Sequence, residues 1–301
     1  MNIAAFILLI WISCACYAQT RGKVRHRKLA RRITGHGSIL APVNCLFYFF
    51  SKVKSTPYID LQELPELNVL SSNWQLIRDE AAQLNQSQAI KASDALNDIG
   101  FNSFFKTGWK RFYLKWYGSP LESAKSLCPK TVELLETIPT VKAGMFAMLP
   151  AGANLKAHSD PYAGSLRYHL GLITPNSNDC FISVDGEDYS WRDGEAVIFD
   201  ETYIHSANNK TDENRIILFL DIKRPVSFFL IDWLNTVFSN VVMAATVSKN
   251  TDSDKVGGIN KAFHFFYQIR KLGKWIKRRN KLAYYLVQYA IYAYIIYLLF
   301  F

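Results

Sequence analysis

The sequence predicts an α+β fold: a double-sheet β-sandwich or jelly roll flanked by helices, with an apolar helix at each end. Three observations predict it. Short apolar runs recur between turn residues from 141 to 222, a helical period precedes them, and the longest apolar stretches lie at the two termini.

The helical period runs over 74–84, where Trp74, Leu76, Ile77, Ala81 and Leu84 fall on one face of an amphipathic helix. Residues 101–117 are rich in aromatics, and Phe112, Leu114 and Trp116 alternate as in a half-buried strand. Lys106, Lys110, Arg111 and Lys115 are interleaved with them, as a solvated strand edge or as contacts for lipid phosphates. A second helix is expected over 130–137. Strands are then expected at 141–149, 168–173, 180–184, 196–200 and 216–222. Pro150-Ala-Gly, Thr174-Pro-Asn-Ser-Asn, Asp185-Gly and Asp193-Gly supply the turns.

Each terminal stretch suits a membrane. Residues 1–18 and 282–301 are each long enough to cross ~30 Å of hydrocarbon as a helix. The net charge of +10 is concentrated beside them. Seven basic residues lie within 21–32 and seven within 270–281, with no acid at either end, so the other 21 basic residues face all 25 acidic ones. The centre is therefore mildly acidic and is not a nucleic-acid-binding domain.

Ala15-Cys-Tyr-Ala resembles a signal-peptide cleavage site, but a signal peptide carries its basic residues before the apolar run, and here they follow it. Basic residues favour the cytoplasmic side, which puts the central region there from both ends. Residues 226–246 are apolar but interrupted by Asp232, Asn235, Ser239 and Asn240, which favours an in-plane amphipathic helix over a third span. Residues 39–50 are too short to span and suit the interface. The five cysteines show neither a disulfide framework nor a zinc spacing, and are expected as free thiols in a reducing compartment.

The residues able to do chemistry lie in the β-rich region. His158 and Asp160, two apart in an extended segment, point to the same face, and His205 beyond another strand can supply a third donor. Two imidazoles and one carboxylate on one side of a metal, with open positions opposite, suit non-haem iron(II). A His-x-Asp triplet also arises by chance, and a histidine on a strand also serves as an ordinary core or surface residue. Arg215 opens an apolar strand, where an inward cation needs an anionic partner such as a dicarboxylate, and an outward one needs only an exposed acid. Arg167 and His169 alternate with Tyr168 and Leu170 along another strand.

Three segments carry a family resemblance. They are His158-Ser-Asp-Pro-Tyr-Ala-Gly-Ser-Leu-Arg-Tyr-His-Leu-Gly-Leu172, Trp191-Arg-Asp-Gly-Glu-Ala-Val-Ile-Phe-Asp-Glu-Thr-Tyr-Ile-His205 and Asn214-Arg-Ile-Ile-Leu-Phe219. The chain resembles the aspartyl/asparaginyl β-hydroxylase family over roughly 100–225. It is more similar still, over nearly its whole length, to the bacterial lipid A acyl-chain 2-hydroxylases, where the aromatic segment 101–118 also matches.

The resemblance implies a double-stranded β-helix (jelly-roll) core and an Fe(II)/2-oxoglutarate-dependent dioxygenase that uses O2. It implies iron ligation by His158, Asp160 and His205, and 2-oxoglutarate contacts from Arg167, His169 and Arg215. The animal aspartyl hydroxylases have a glycine where Asp160 stands, so Asp160 either completes the ligand set or lies just outside it. They also place a serine at Ala147, whose contact with the cosubstrate is then missing here.

The implied substrate is lipid A or its precursor, met at the bacterial inner membrane by a cytoplasmic catalytic domain. A membrane-tethered protein β-hydroxylase and a cupin-like metal-binding module are the alternatives. The expected organisation is an anchor at 1–20, a basic interfacial segment at 21–60, the dioxygenase domain at 61–225, an amphipathic and basic segment at 226–281, and a transmembrane helix at 282–301.

Overall fold

From Val141 onward the chain passes back and forth between two antiparallel sheets. The structure is a computed structural model that describes residues 3–25, 36–93 and 98–300. Its strands are β1 (Tyr58–Ile59), β2 (Lys110–Trp116), β3 (Val141–Leu149), β4 (Asn154–His158), β5 (Ser165–Ile173), β6 (Cys180–Val184), β7 (Glu187–Ser190), β8 (Ala196–Phe199), β9 (His205–Asn209) and β10 (Arg215–Lys223). The larger sheet has the order β1-β8-β5-β10-β3-β2 and the smaller β4-β9-β6-β7. Apart from the β6–β7 hairpin, which stays within the smaller sheet, strands β3 to β10 thus alternate between the sheets in the manner of a jelly roll.

Burial explains which strands were legible. The larger sheet is covered on its outer face by the helices Trp74–Gln86 and Pro129–Glu136, through Ile77, Ala81, Leu84, Val132 and Leu135. Strands β3, β5 and β10 are buried on both faces; β3 and β10 read as near-continuous apolar runs, while β5 carries Arg167 and His169 among its apolar residues. The smaller sheet is covered on one face only, so β6 and β9 alternate in burial. Strand β9, His-Ser-Ala-Asn-Asn, carries few β-formers and was not anticipated, nor were β4, β7 and β1.

Strand β2 differs from the half-buried strand expected at 101–117. Nearly all of its side chains are enclosed, because the segment 246–254 crosses its outer side. Asn250 accepts the Tyr113 N–H at 2.8 Å and donates to the Tyr113 carbonyl at 2.8 Å, covering an open edge. Arg111 is correspondingly buried and donates to Asp98 at 2.9 Å, so it does not face solvent or lipid. Lys106 and Lys110 are exposed.

The ends are helical: Ile3–Thr20, Ala41–Phe50, Phe229–Phe238, Gly258–Arg279 and Lys281–Phe300. Among the described residues, one helical stretch is long and apolar enough to cross a membrane by length and composition, Phe229–Thr246. This is the stretch expected to lie in the plane, and its polar groups turn toward the barrel. Lys223 donates to Asp232 at 2.7 Å, Tyr162 to Asn235 at 2.7 Å, and Asn235 to the Gly164 carbonyl at 2.8 Å. Its apolar side, with Phe229 77% and Trp233 57% exposed, faces away.

Candidate active site

The mouth of the barrel holds His158 at the end of β4 directly opposite His205 at the start of β9, paired in register. Their ring centroids are 4.3 Å apart. Asp160 follows just beyond β4, with a carboxylate oxygen 3.9 Å from His158 Nε2. Ligand atoms of all three residues lie within 4.8 Å of one another, close enough to share one ion.

Each imidazole is oriented from behind. His158 Nδ1 lies 2.8 Å from the Lys156 carbonyl, and His205 Nδ1 lies 3.0 Å from the Tyr203 carbonyl. A carbonyl only accepts, so Nδ1 carries the proton in both rings and the Nε2 lone pairs are free for a metal. Burial, then the neighbouring His158, lowers the His205 pKa to about 4, which keeps that imidazole neutral and ligand-competent at pH 7. For Asp160, burial favours the neutral acid, but Arg167, His205 and His158 outweigh it and hold the carboxyl below its ordinary range. The donor set therefore fits a divalent metal in chemistry and protonation.

Arg167 occupies a carboxylate cluster. Nη2 donates to Asp160 at 2.9 Å and to Glu201, Nε lies 3.0 Å from Asp221, and the guanidinium carbon stands 3.9 Å from the Phe219 ring centroid. Glu201 also accepts from Ser165 Oγ at 2.6 Å, and its carbonyl accepts the Asp160 N–H at 2.9 Å. Sequence reasoning missed Glu201 and Asp221 in this role. The signal for Asp221 was its period-two relation to Arg215, Ile217 and Phe219 on the inward face of β10. Asp200 and Glu201 do not bond His205; the Tyr203 main chain does that.

Deeper in, Arg215 and His169 share one wall. Arg215 is 2% exposed, its Nε has no hydrogen-bond partner, and its guanidinium carbon sits 4.1 Å from the Trp191 ring centroid. Burial lowers its pKa to about 10, with Cys180 the one opposing influence, so it stays charged. His169 has both ring nitrogens buried and unpartnered, and burial followed by Arg215 and Arg167 pushes its pKa well below the ordinary value. These residues line one partly open pocket together with His158, Asp160 and His205. Phe104, Trp109, Leu155 and Ile217 make much of its wall apolar, and Ala147 leaves that stretch of wall without a hydroxyl.

A jelly roll with a two-histidine, one-carboxylate cluster at its mouth and a buried cation within it defines a hydroxylase-type site. Residues 71–225 match the aspartyl/asparaginyl beta-hydroxylase family, and the chain belongs to that family. Among curated relatives, it is 35% identical over 192 residues to the ornithine lipid ester-linked acyl 2-hydroxylase of Rhizobium tropici, covering 63% of this chain and 68% of that protein. It is 30% identical to the aspartyl/asparaginyl beta-hydroxylase of Homo sapiens over 57% of this chain, which spans only 22% of the human protein. Among solved structures, a Pseudomonas putida prolyl-4-hydroxylase aligns with a TM-score of 0.33 and 16% identity, over 50% of this chain and 87% of that one.

Proposed function

We propose that the protein is an iron(II)- and 2-oxoglutarate-dependent dioxygenase that hydroxylates C2 of a secondary acyl chain of lipid A or its precursor, at the cytoplasmic face of the bacterial inner membrane. The observation that carries this reading is the sharing of one pocket by a two-histidine, one-carboxylate donor set and a buried arginine without an acidic partner among the described residues. Iron(II) bound with 2-oxoglutarate and O2 would supply the oxidising power to hydroxylate an unactivated C–H bond, with release of succinate and carbon dioxide.

The chain's own residues do the rest. His158, Asp160 and His205 hold the metal from one side and leave the pocket side open. Arg215 is the counter-charge for a carboxylate of 2-oxoglutarate, which its fork can meet at two points. His169, neutral because it is buried, offers an N–H to the same ligand without adding a second cation. Arg167, engaged with three carboxylates, keeps Asp160 ionised and aimed. The apolar wall at Phe104, Trp109 and Leu155 excludes water and suits an acyl chain.

A membrane setting suits a lipid substrate. In this reading the helices at 3–20 and 281–300 cross the bilayer, and Phe229–Thr246 rests its apolar side in the interface. The Rhizobium tropici relative is named for 2-hydroxylation of a lipid acyl chain, which supports the same class of substrate and makes an ornithine lipid the second reading. Purified protein with iron(II) and 2-oxoglutarate, offered lipid A, ornithine lipid or an aspartate- and asparagine-bearing peptide, tests the choice. Succinate release is expected to rise most with lipid A; a rise with the peptide alone would overturn the lipid assignment.

A further inference from the structure

Arg21 is one of the seven basic residues that follow the first helix, where charge alone would place it in water or among anionic headgroups. It is instead inside the protein, with its side chain 6% exposed. Nη2 donates to Asp200 at 2.7 Å and Nη1 to Thr202 Oγ1 at 2.7 Å. The guanidinium carbon lies 3.9 Å from the Tyr48 ring centroid and 4.1 Å from that of Tyr203.

The next residues continue the grip. The main-chain N–H groups of Lys23 and Val24 donate to the two carboxylate oxygens of Asp185 at 2.9 and 2.8 Å. Gly22 runs so close that a Cβ there would stand 2.6 Å from Asp185 Oδ1. Asp185 in turn donates its own N–H to the Ile204 carbonyl at 2.8 Å. Residues 21–24 therefore hold the loop 200–204 at both of its ends.

That loop supports two members of the donor set, Asp160 and His205. The Glu201 carbonyl receives the Asp160 N–H, the Glu201 carboxylate fixes the Arg167 that donates to Asp160, and the Tyr203 carbonyl receives His205 Nδ1. We infer that residues 21–24, and Arg21 above all, are positioning residues for the metal centre, so that metal affinity depends on the segment joining the first helix to the barrel. This inference rests on reading His158, Asp160 and His205 as metal ligands. Groups that orient metal ligands from outside the coordination sphere typically change affinity by about 10- to 100-fold when removed.

The test uses full-length protein in detergent, titrated with Co(II) alone and followed by the visible absorption of the bound ion. Arg21→Gln is expected to weaken Co(II) binding by about 10- to 100-fold and to alter the band shape, with partial recovery in Arg21→Lys. Thermal melts of the metal-free proteins separate this from general unfolding, since Arg224 still pairs with Asp200 at 2.9 Å. Should Arg21→Gln fail to fold, Gly22→Val displaces the same segment while keeping Arg21, and the same weakening is expected. His205→Ala is the control for the site itself. Folded Arg21→Gln or Gly22→Val protein that binds Co(II) within about twofold of wild type, while His205→Ala does not bind, would overturn the positioning role. Wild-type binding in His205→Ala would overturn the metal-centre reading, and the positioning role with it.

Discussion

Arg215 lies over Trp191, its guanidinium carbon 4.1 Å from the indole centroid, and no carboxylate among the described residues balances it. A buried cation left in this state costs stability that a bound dicarboxylate would return. Arg215→Met is therefore expected to leave the metal-free fold as stable as wild type or more so, while weakening 2-oxoglutarate binding at least about tenfold. Thermal melts and calorimetric titration check the two halves. A large loss of stability with unchanged cosubstrate affinity would assign Arg215 a purely structural role.

Arg167 is the opposite case, a buried cation facing Asp160, Glu201 and Asp221. Arg167→Leu leaves those carboxylates facing one another and is expected to cost on the order of 3–5 kcal/mol near neutral pH. The unpaired acids would take up protons, so the variant should recover part of the difference as pH falls. Chemical denaturation at two pH values measures this, and a deficit independent of pH would contradict it.

His205 sets a pH limit of a different sign. Its folded pKa is about 4 against an ordinary value of 6.5, so between those values the unfolded chain binds the extra proton and the folded chain does not. This contribution to stability is present above about pH 6.5 and is lost as pH falls toward 4, by roughly 3 kcal/mol at full extent. His169 acts in the same direction. His205→Gln should flatten the fall in metal-free stability over that window; an unchanged slope would show that the imidazole titrates normally.

Much of the barrel was legible in the sequence because the larger sheet is buried on both faces, which turns β3, β10 and the second half of β5 into largely apolar runs. Strands β4 and β9 were not legible as strands, since one-sided cover lets them carry Lys, Ser and Asn, yet they hold His158 and His205. The donor triplet could be located because His158 and Asp160 stand two residues apart and His205 marks the return to the same mouth. The partners of Arg167 were hidden, because Glu201 reaches it across a loop and no period along the chain links residues 34 apart. The burial of Arg21 was hidden for the same reason: its partner Asp200 lies 179 residues away, and local composition made it one more juxtamembrane charge.

The exposed side of Phe229–Thr246 gives a fourth expectation. Phe229→Glu with Trp233→Glu alters side chains that are 77% and 57% exposed, so the folded core should melt within a few degrees of wild type. Seating against a bilayer should suffer instead, and hydroxylation of a vesicle-embedded lipid should fall severalfold while 2-oxoglutarate binding is retained. Equal turnover on embedded lipid by the double variant would remove this helix from the interface.

The most direct measurement is the mass spectrum of lipid A from a bacterial host carrying either the wild-type chain or His158→Ala. The expected result is a species one oxygen heavier with the wild type, fragmenting to a hydroxyl at C2 of a secondary acyl chain, and absent with the variant. No heavier lipid A in the wild type, or an equal amount in His158→Ala, would contradict the account.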